Sequence, residues 1–351
     1  MKIFLALISS LLLFTQTCLA EDVSITLTFA GDCTLGSEEY LRERDGSFDS
    51  YIKKYGTEYP LQKVKDIFLK DDWTVVNLEC VLADSAEGEN KKQTYRFRGP
   101  SSFTDILTSS GVEMVNLSNN HTDDYGKAGM QSTKDIVSAA GLAYCQNDDV
   151  YILEINGIRI GIMGINLSEY DTLGKKLNER IASLKAKEDC QFVVVNFHYG
   201  WEYSFVHNKK QKLTSHEVIL SGADLVVGTH PHVVQGIENY KNRLILYSIG
   251  NFSFGGNMEL NPRSLQAYIA QVKVTFEDKV FKSQQLTIIP VHTTGIQPGN
   301  NYQPYLVTGD DAQAVVERIQ GDTKFPLEPY VEGIGAVQAA IPAVPETVPA
   351  D

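Results

Sequence analysis

The sequence predicts an α/β protein, a layered α/β sandwich with mixed β-sheets, and three of its features carry that expectation. Short apolar, β-branched runs recur along the chain, stretches of helical periodicity separate them, and one late segment alternates like an antiparallel hairpin. The apolar runs are Ile25–Ala30, Trp73–Leu78, Met114–Leu117, Ile158–Gly164, Phe192–Phe197, Leu225–Val227 and Leu244–Ser248, short and continuous as strands buried on both faces are. Helical spacing marks Leu61–Leu69, Thr104–Ser110, Gly129–Ala140 and Leu213–Leu220. From Ala267 to Phe276 apolar and polar residues alternate, Glu277-Asp278-Lys279 supplies a turn, and Val280 to Pro290 returns, a hairpin that closes a mixed sheet.

At 351 residues the chain is long enough for one large core. Lys2 followed by the apolar stretch from Ile3 to Phe14 reads as a secretory signal peptide over residues 1–20, cleaved after Ala20; lipid attachment at Cys18 is the weaker alternative. The expected product is periplasmic or extracellular, without a retained transmembrane helix. A single domain over 21–330 follows, then a Pro- and Ala-rich stretch, 331–351, expected to be poorly ordered. The net charge of −13 becomes −14 without Lys2, with 30 basic against 44 acidic residues. That balance argues against nucleic acid as a partner. Four cysteines remain after the leader, Cys33, Cys80, Cys145 and Cys190, and they permit three pairings or none, as buried apolar residues.

Polar residues stand where the apolar runs stop. Asp32 follows Phe29-Ala30-Gly31, Glu79 follows Val75 to Leu78, Asn119, Asn120 and His121 follow Met114 to Ser118, and His198 follows Val193 to Phe197. His230 and His232, one residue apart around Pro231, follow Leu225-Val226-Val227. The carboxyl ends of strands are where α/β proteins gather ligands. Spacing of two lets both imidazoles reach one point, and Pro231 stiffens the backbone between them. Carboxylates, an amide and several imidazoles form a ligand set suited to Mn, Fe or Zn rather than to an all-oxygen Ca²⁺ site. Singly, each residue has a plainer reading, as a turn cap, an ion pair or a loop histidine; together they point to a metal. Gly31 and Gly228 suit a close approach of backbone to a ligand.

The ordered strings "FAGDCTLGSE", "VNLECVL", "VNLSNNHTDDYG", "VNFHYGWEY", "GADLVVGTHPHVVQGIE" and "LILYSIGNFSFGG" resemble the CapA or PGA_cap family, the poly-γ-glutamate capsule-synthesis proteins, from about Ile25 to about Pro304. The resemblance implies a fold similar to the calcineurin-like metallophosphoesterases. It implies metal ligation by Asp32, Glu79, Asn120, His198, His230 and His232, with Glu79 bridging and His121 assisting the leaving group. Thr34 stands where that fold has a ligand histidine, so one ion is expected and a second is the weaker.

The function implied is a metal-dependent hydrolase of capsule metabolism, acting on a phosphoester or a γ-glutamyl amide; the alternative is a non-catalytic module that binds, exports or anchors an anionic capsule polymer. Other capsule-synthesis proteins are possible partners. Glu202 is expected to orient His198 or to act as a second acid or base, unless it is an ordinary surface carboxylate, and Trp201 and Tyr203 line a substrate wall or the core. Arg96, Arg98, Lys209 and Lys210 are the basic residues that could make the cleft locally positive. If Asp32 and Glu79 meet at one ion, Cys33 and Cys80 lie in neighbouring loops. There they would bridge, leaving Cys145 to Cys190, or ligate the metal as thiolates.

Overall fold

A computed structural model describes residues 22–343. The expected leader with Cys18, and residues 344–351, lie outside the described residues.

Alternation along the strands sets the layers. In the strand Phe192–His198, Phe192 and Val194 enter one apolar cluster while Val193 and Val195 enter another, as a period of two requires. Ile25, Leu27, Phe29 and Val75 from a different sheet share the cluster of Phe192 and Val194, so this cluster lies between two sheets. The opposite faces pack helices. Val76 and Leu78 meet Ile52, Ile106 and Val137, and Val193 and Val195 meet Leu177, Ile181 and Val218. The result is the expected α/β sandwich, two sheets face to face with helices outside.

The larger, 10-stranded sheet runs Tyr305–Leu306, Val280–His292, Gln266–Glu277, Asp22–Thr34, Trp73–Leu78, Met114–Asn116 and Ala143–Cys145, with Asn251–Phe254 parallel to Asp22–Thr34. Its four strands from Asp22–Thr34 onward are parallel, and the hairpin of Gln266–Glu277 with Val280–His292 closes it antiparallel. The six-stranded sheet runs Ile237–Tyr240, Arg243–Leu246, Leu225–Thr229, Phe192–His198, Ile158–Asn166 and Tyr151–Ile155, with parallel strands inside and antiparallel edges. The parallel strands of both sheets end at one rim, where Asp32 of one sheet accepts the His230 N–H that follows the other.

Several expectations change. Leu61–Leu69 holds only the short helix Lys65–Phe68, preceded by turns. The helix expected from Leu213 begins at Lys209, because Asn208 and Gln211 form a capping box that satisfies its first N–H groups. The tail is docked as far as 343: Ala336–Val337 and Ile341–Pro342 pair with Val280–His292. The outer hairpin strand would otherwise present a long unpaired edge, and the tail covers it. All four cysteines are free thiols and buried. Cys145 packs between the sheets and Cys190 against the outer helices, while Cys80 points its Sγ at the Leu35 carbonyl, 3.6 Å away. Neither Cys33 nor Cys80 bridges.

Gly31 and Gly228 serve the sheets rather than a ligand. A Cβ on Gly31 would collide with the Gly250 carbonyl, and one on Gly228 with that of Tyr247, so both allow neighbouring backbones to close.

Candidate metal centre

Asp32 stands at a register shift in Asp22–Thr34, between the pairings with Trp73–Leu78 and Asn251–Phe254. The bulge turns its carboxylate into the rim. The Asn77 amide donates to Asp32 Oδ1 at 2.7 Å, the His230 N–H to Oδ2 at 3.3 Å, and His232 Nδ1 lies 3.2 Å from Oδ2.

Glu79 is the centre of the arrangement. It is 0 % exposed, yet neither Oε1 nor Oε2 has a hydrogen-bond partner. Its nearest imidazoles are His198 Nε2 at 3.6 Å and His121 Nε2 at 4.0 Å. Burial, and then the Asp32 carboxylate, push its carboxyl well above the ordinary range. An unpartnered buried carboxylate is costly in a folded protein unless a cation joins it.

Among the described residues, two groups of ligand atoms lie within 4.8 Å of one another, Glu79 with His198 and His230, and Asp32 with Glu79 and His232. Glu79 belongs to both. The residues therefore fit a metal, and they fit two positions sharing one carboxylate. His230 and His232 do not reach one point. Both have left-handed backbones, φ 96° and 57°, which splay their rings to centroids 6.0 Å apart, one to each group. Strain of this kind in non-glycine residues is concentrated at functional sites.

The imidazoles are held in place from behind. His198 Nδ1 lies 3.0 Å from Thr229 Oγ1 and 3.3 Å from Asn77 Nδ2, while Nε2 lies 2.6 Å from Asn120 Oδ1 and 3.1 Å from His230 Nδ1. Burial and the neighbouring His230, His232 and His121 hold His198 well below the ordinary imidazole range. Burial and His232 bring His230 down to about 4, so both rings are neutral and have a lone pair to give. His232 goes the other way. Burial opposes its charge, but Glu79 and Asp32 outweigh it and lift the ring to about 10, so a cation taking its place there displaces a proton.

His121 stands beside both groups without belonging to either. Its Nδ1 lies 2.8 Å from Asp124 Oδ2, and that buried carboxylate also accepts the Phe97 N–H at 2.7 Å. The ring packs on Phe97 at 4.6 Å. Asp124 fixes the imidazole and leaves Nε2 facing the cleft side of Glu79.

Asn77, Asn116 and Asn251 brace the candidate ligands and were not among the strand-end residues singled out from the sequence, whereas Asn119 was named there without a role. Asn116 Nδ2 donates to Asn77 Oδ1 at 2.9 Å, Asn119 Nδ2 to the Leu78 carbonyl at 2.8 Å, and Asn251 Oδ1 lies 2.8 Å from His232 Nδ1. For Asn77 and Asn116 the signal was present as Val-Asn-Leu in "VNLE" and "VNLSNN", an amide within the last two residues of each strand.

Glu202 does not touch His198, whose Nδ1 partners are Thr229 and Asn77. It is exposed and lines a cleft of about 510 Å³ with His121, His232 and Tyr203. Trp201 is 68 % exposed and lies in no core. Thr34 Oγ1 is buried without a partner and joins neither ligand group, while His232 completes the group of Asp32. Cys33 and Cys80 are absent from both groups, and burial pushes the Cys33 thiol up to about 12 and Cys80 higher still. Arg96 pairs with Glu89 at 2.9 Å, Arg98 with Glu39 at 2.6 Å and Lys210 with Asp171 at 2.6 Å, and Lys209 opens a helix; none of the four lines the cleft.

The family model described as "Bacterial capsule synthesis protein PGA_cap" matches residues 26–256. Capsule biosynthesis protein CapA of Bacillus anthracis is 27% identical over 263 residues, 67% of this chain and 61% of that protein. PGA biosynthesis protein CapA of Bacillus subtilis (strain 168) is 26% identical over 254 residues, 67% of this chain and 64% of that one. The chain thus spans less than two thirds of the length of these curated relatives. A crystal structure of a hypothetical protein from Thermus thermophilus covers 76% of this chain and 99% of its own at 14% identity and TM-score 0.45, too distant a likeness to bear on the site.

Proposed function

Since the chain belongs to the PGA_cap family of bacterial capsule synthesis proteins, we propose that it is a metal-dependent hydrolase of cell-surface polymer metabolism, cleaving a phosphoester or a γ-glutamyl amide. The observation that carries this reading is Glu79, buried, with both oxygens unpartnered, and shared by two three-residue ligand groups. Asp32, Glu79 and His232 hold one position and Glu79, His198 and His230 the other, with Asn120 beside His198. The donor set suits Mn, Fe or Zn. A cation bound there supplies a water of lowered pKa and an electrophile for an anionic substrate oxygen.

The chain's own residues supply the rest. Asn77 and Thr229 fix the His198 ring, and Asn251 fixes His232. His121, oriented by Asp124, donates a proton from Nε2 to the departing oxygen or nitrogen. Glu202, at the cleft mouth, meets the substrate. A module that only bound a polymer would need the ligands but not the His121–Asp124 pair, so that pair favours hydrolysis. The reading includes a secretory leader over residues 1–20, a single domain over 21–330, and action outside the cytoplasm; no helix of the described residues is long and apolar enough to cross a membrane.

The test is elemental analysis of the purified protein together with turnover of a generic phosphodiester and of poly-γ-glutamate. His230→Ala with His232→Ala should lose metal and turnover together. His121→Ala should keep the metal and lose turnover. Metal-loaded wild type that cleaves neither substrate class would overturn the hydrolase reading.

A further inference from the structure

The cleft beside the metal ligands has His121 and His232 at its inner end and aromatic rings and carboxylates along its walls. Tyr95, Phe97, Tyr203 and Phe254 line it with Glu202 and Glu259, and no lysine or arginine does. The aromatic faces are organised around the ligands. Phe254 meets His232 edge-on at 5.1 Å, and Phe97 lies 6.1 Å from Phe254 at 75°. Tyr203, 5.9 Å from His232, is held in place with a left-handed backbone, φ 60°, its N–H bonded to the Pro231 carbonyl at 2.7 Å. Such a conformation costs a bulky residue energy and persists where surroundings fix it. The Arg263 guanidinium donates to the Tyr203 carbonyl at 3.2 Å and lies over Phe205. The cations that could have made the cleft positive are paired with carboxylates elsewhere or lie outside it, as described above.

Aromatic faces with carboxylates at their rim attract an ammonium group and repel a carboxylate. We infer that the cleft is a subsite for an ammonium-bearing substituent, so that the substrate is an ester or amide carrying an amino-alcohol or related cationic group next to the scissile bond. The anionic group of the substrate then belongs over the ligand cluster, and the cationic group in the cleft. A further carboxylate of a polyanion is excluded from this subsite. This inference rests on the reading of the cleft as the approach to a hydrolytic centre.

The test uses three phosphodiesters of nitrophenol whose second alcohol ends in trimethylammonium, in its isosteric tert-butyl, or in a carboxylate. Water adds to phosphorus and nitrophenolate leaves in each. Binding is measured separately by calorimetry, with non-hydrolysable methylphosphonate monoesters of the same three alcohols on the metal-loaded protein. The ammonium ester should bind roughly ten-fold more tightly than the carboxylate ester, the scale of a cation over aromatic faces with a rim ion pair. Glu202→Gln with Glu259→Gln should shrink that ratio to about three-fold or less. Both glutamates are exposed, so the variant should unfold at the wild-type temperature. A carboxylate ester bound as tightly as the ammonium ester, or no binding by any of the three, overturns the inference. Hydrolysis of all three without charge preference sinks the subsite and spares the hydrolase reading; ammonium-selective binding without hydrolysis of any does the reverse.

Discussion

Replacing Glu79 by Gln should make the metal-free protein more stable and the metal-treated protein less so. The wild-type carboxyl is buried, faces Asp32 and has no hydrogen-bond partner on either oxygen. Its folded-state pKa is raised well above 4.5, so the sign follows: its stability contribution is full below pH 4.5 and is lost as pH rises above that value. The loss grows with pH by no more than about 1.36 kcal/mol for each pH unit above the unfolded value. The amide that Glu79→Gln introduces recovers part of this, since it remains a buried polar group that must find partners, and a net gain of about 1–3 kcal/mol is expected. At about 2 °C per kcal/mol for a chain of this size, that is a rise of roughly 2–6 °C in metal-free Tm. At pH 4 the gain should vanish. Saturating metal at about a hundred times its Kd should stabilise the wild type by about 2.7 kcal/mol and leave the variant unchanged. Thermal unfolding with and without chelator, at pH 4 and pH 7, measures all four states. A metal-free variant less stable than wild type at pH 7, or one that still gains stability from metal, would refute the account of Glu79.

Other outcomes follow from the same packing. Asn77→Ala removes the donor to Asp32 and the acceptor for Asn116, and chemical denaturation should show a loss of about 2–4 kcal/mol from the polar groups left unpaired. Glu113 is pushed up to about 7, by burial and then against the bond it accepts from the Thr74 N–H. Its stabilising contribution is full below pH 4.5 and lost by pH 7, so Glu113→Gln should match wild type at pH 4 and exceed it above pH 7, by about 1 kcal/mol after discounting for its partial exposure. Protein denatured without reductant should show Cys33, Cys80, Cys145 and Cys190 all open to alkylation, and a protected pair among them would contradict the free thiols.

Much of the sandwich was legible because its strands are buried on both faces. Trp73–Leu78 and the hairpin around Asp278 read directly as apolar runs and alternation, and the candidate ligands stand where those runs end. What was not legible depends on distant partners. The docking of Ala336–Val337 needs the edge of Val280–His292, four dozen residues earlier, and nothing local in an Ala- and Pro-rich stretch announces it. The asparagine layer behind the ligands looks like ordinary polar residues until Asn77, Asn116 and Asn119 are brought to one rim by the parallel pairing of Trp73–Leu78 with Met114–Asn116. The assignment of His230 and His232 to different ligand groups turns on two left-handed residues around a proline, a backbone choice made by tertiary contacts. Cysteine positions next to Asp32 and Glu79 suggested a bridge or thiolate ligands, whereas their side chains point into the apolar layer under the helices.

The central claim is that one buried carboxylate organises the metal site. Anomalous diffraction from crystals of the protein loaded with Mn or Zn tests it most directly. The account predicts anomalous peaks bounded by Glu79, His198 and His230 and by Asp32, Glu79 and His232, with Glu79 bonded to every ion found. Peaks elsewhere, or an ion at this rim that Glu79 does not touch, would contradict it.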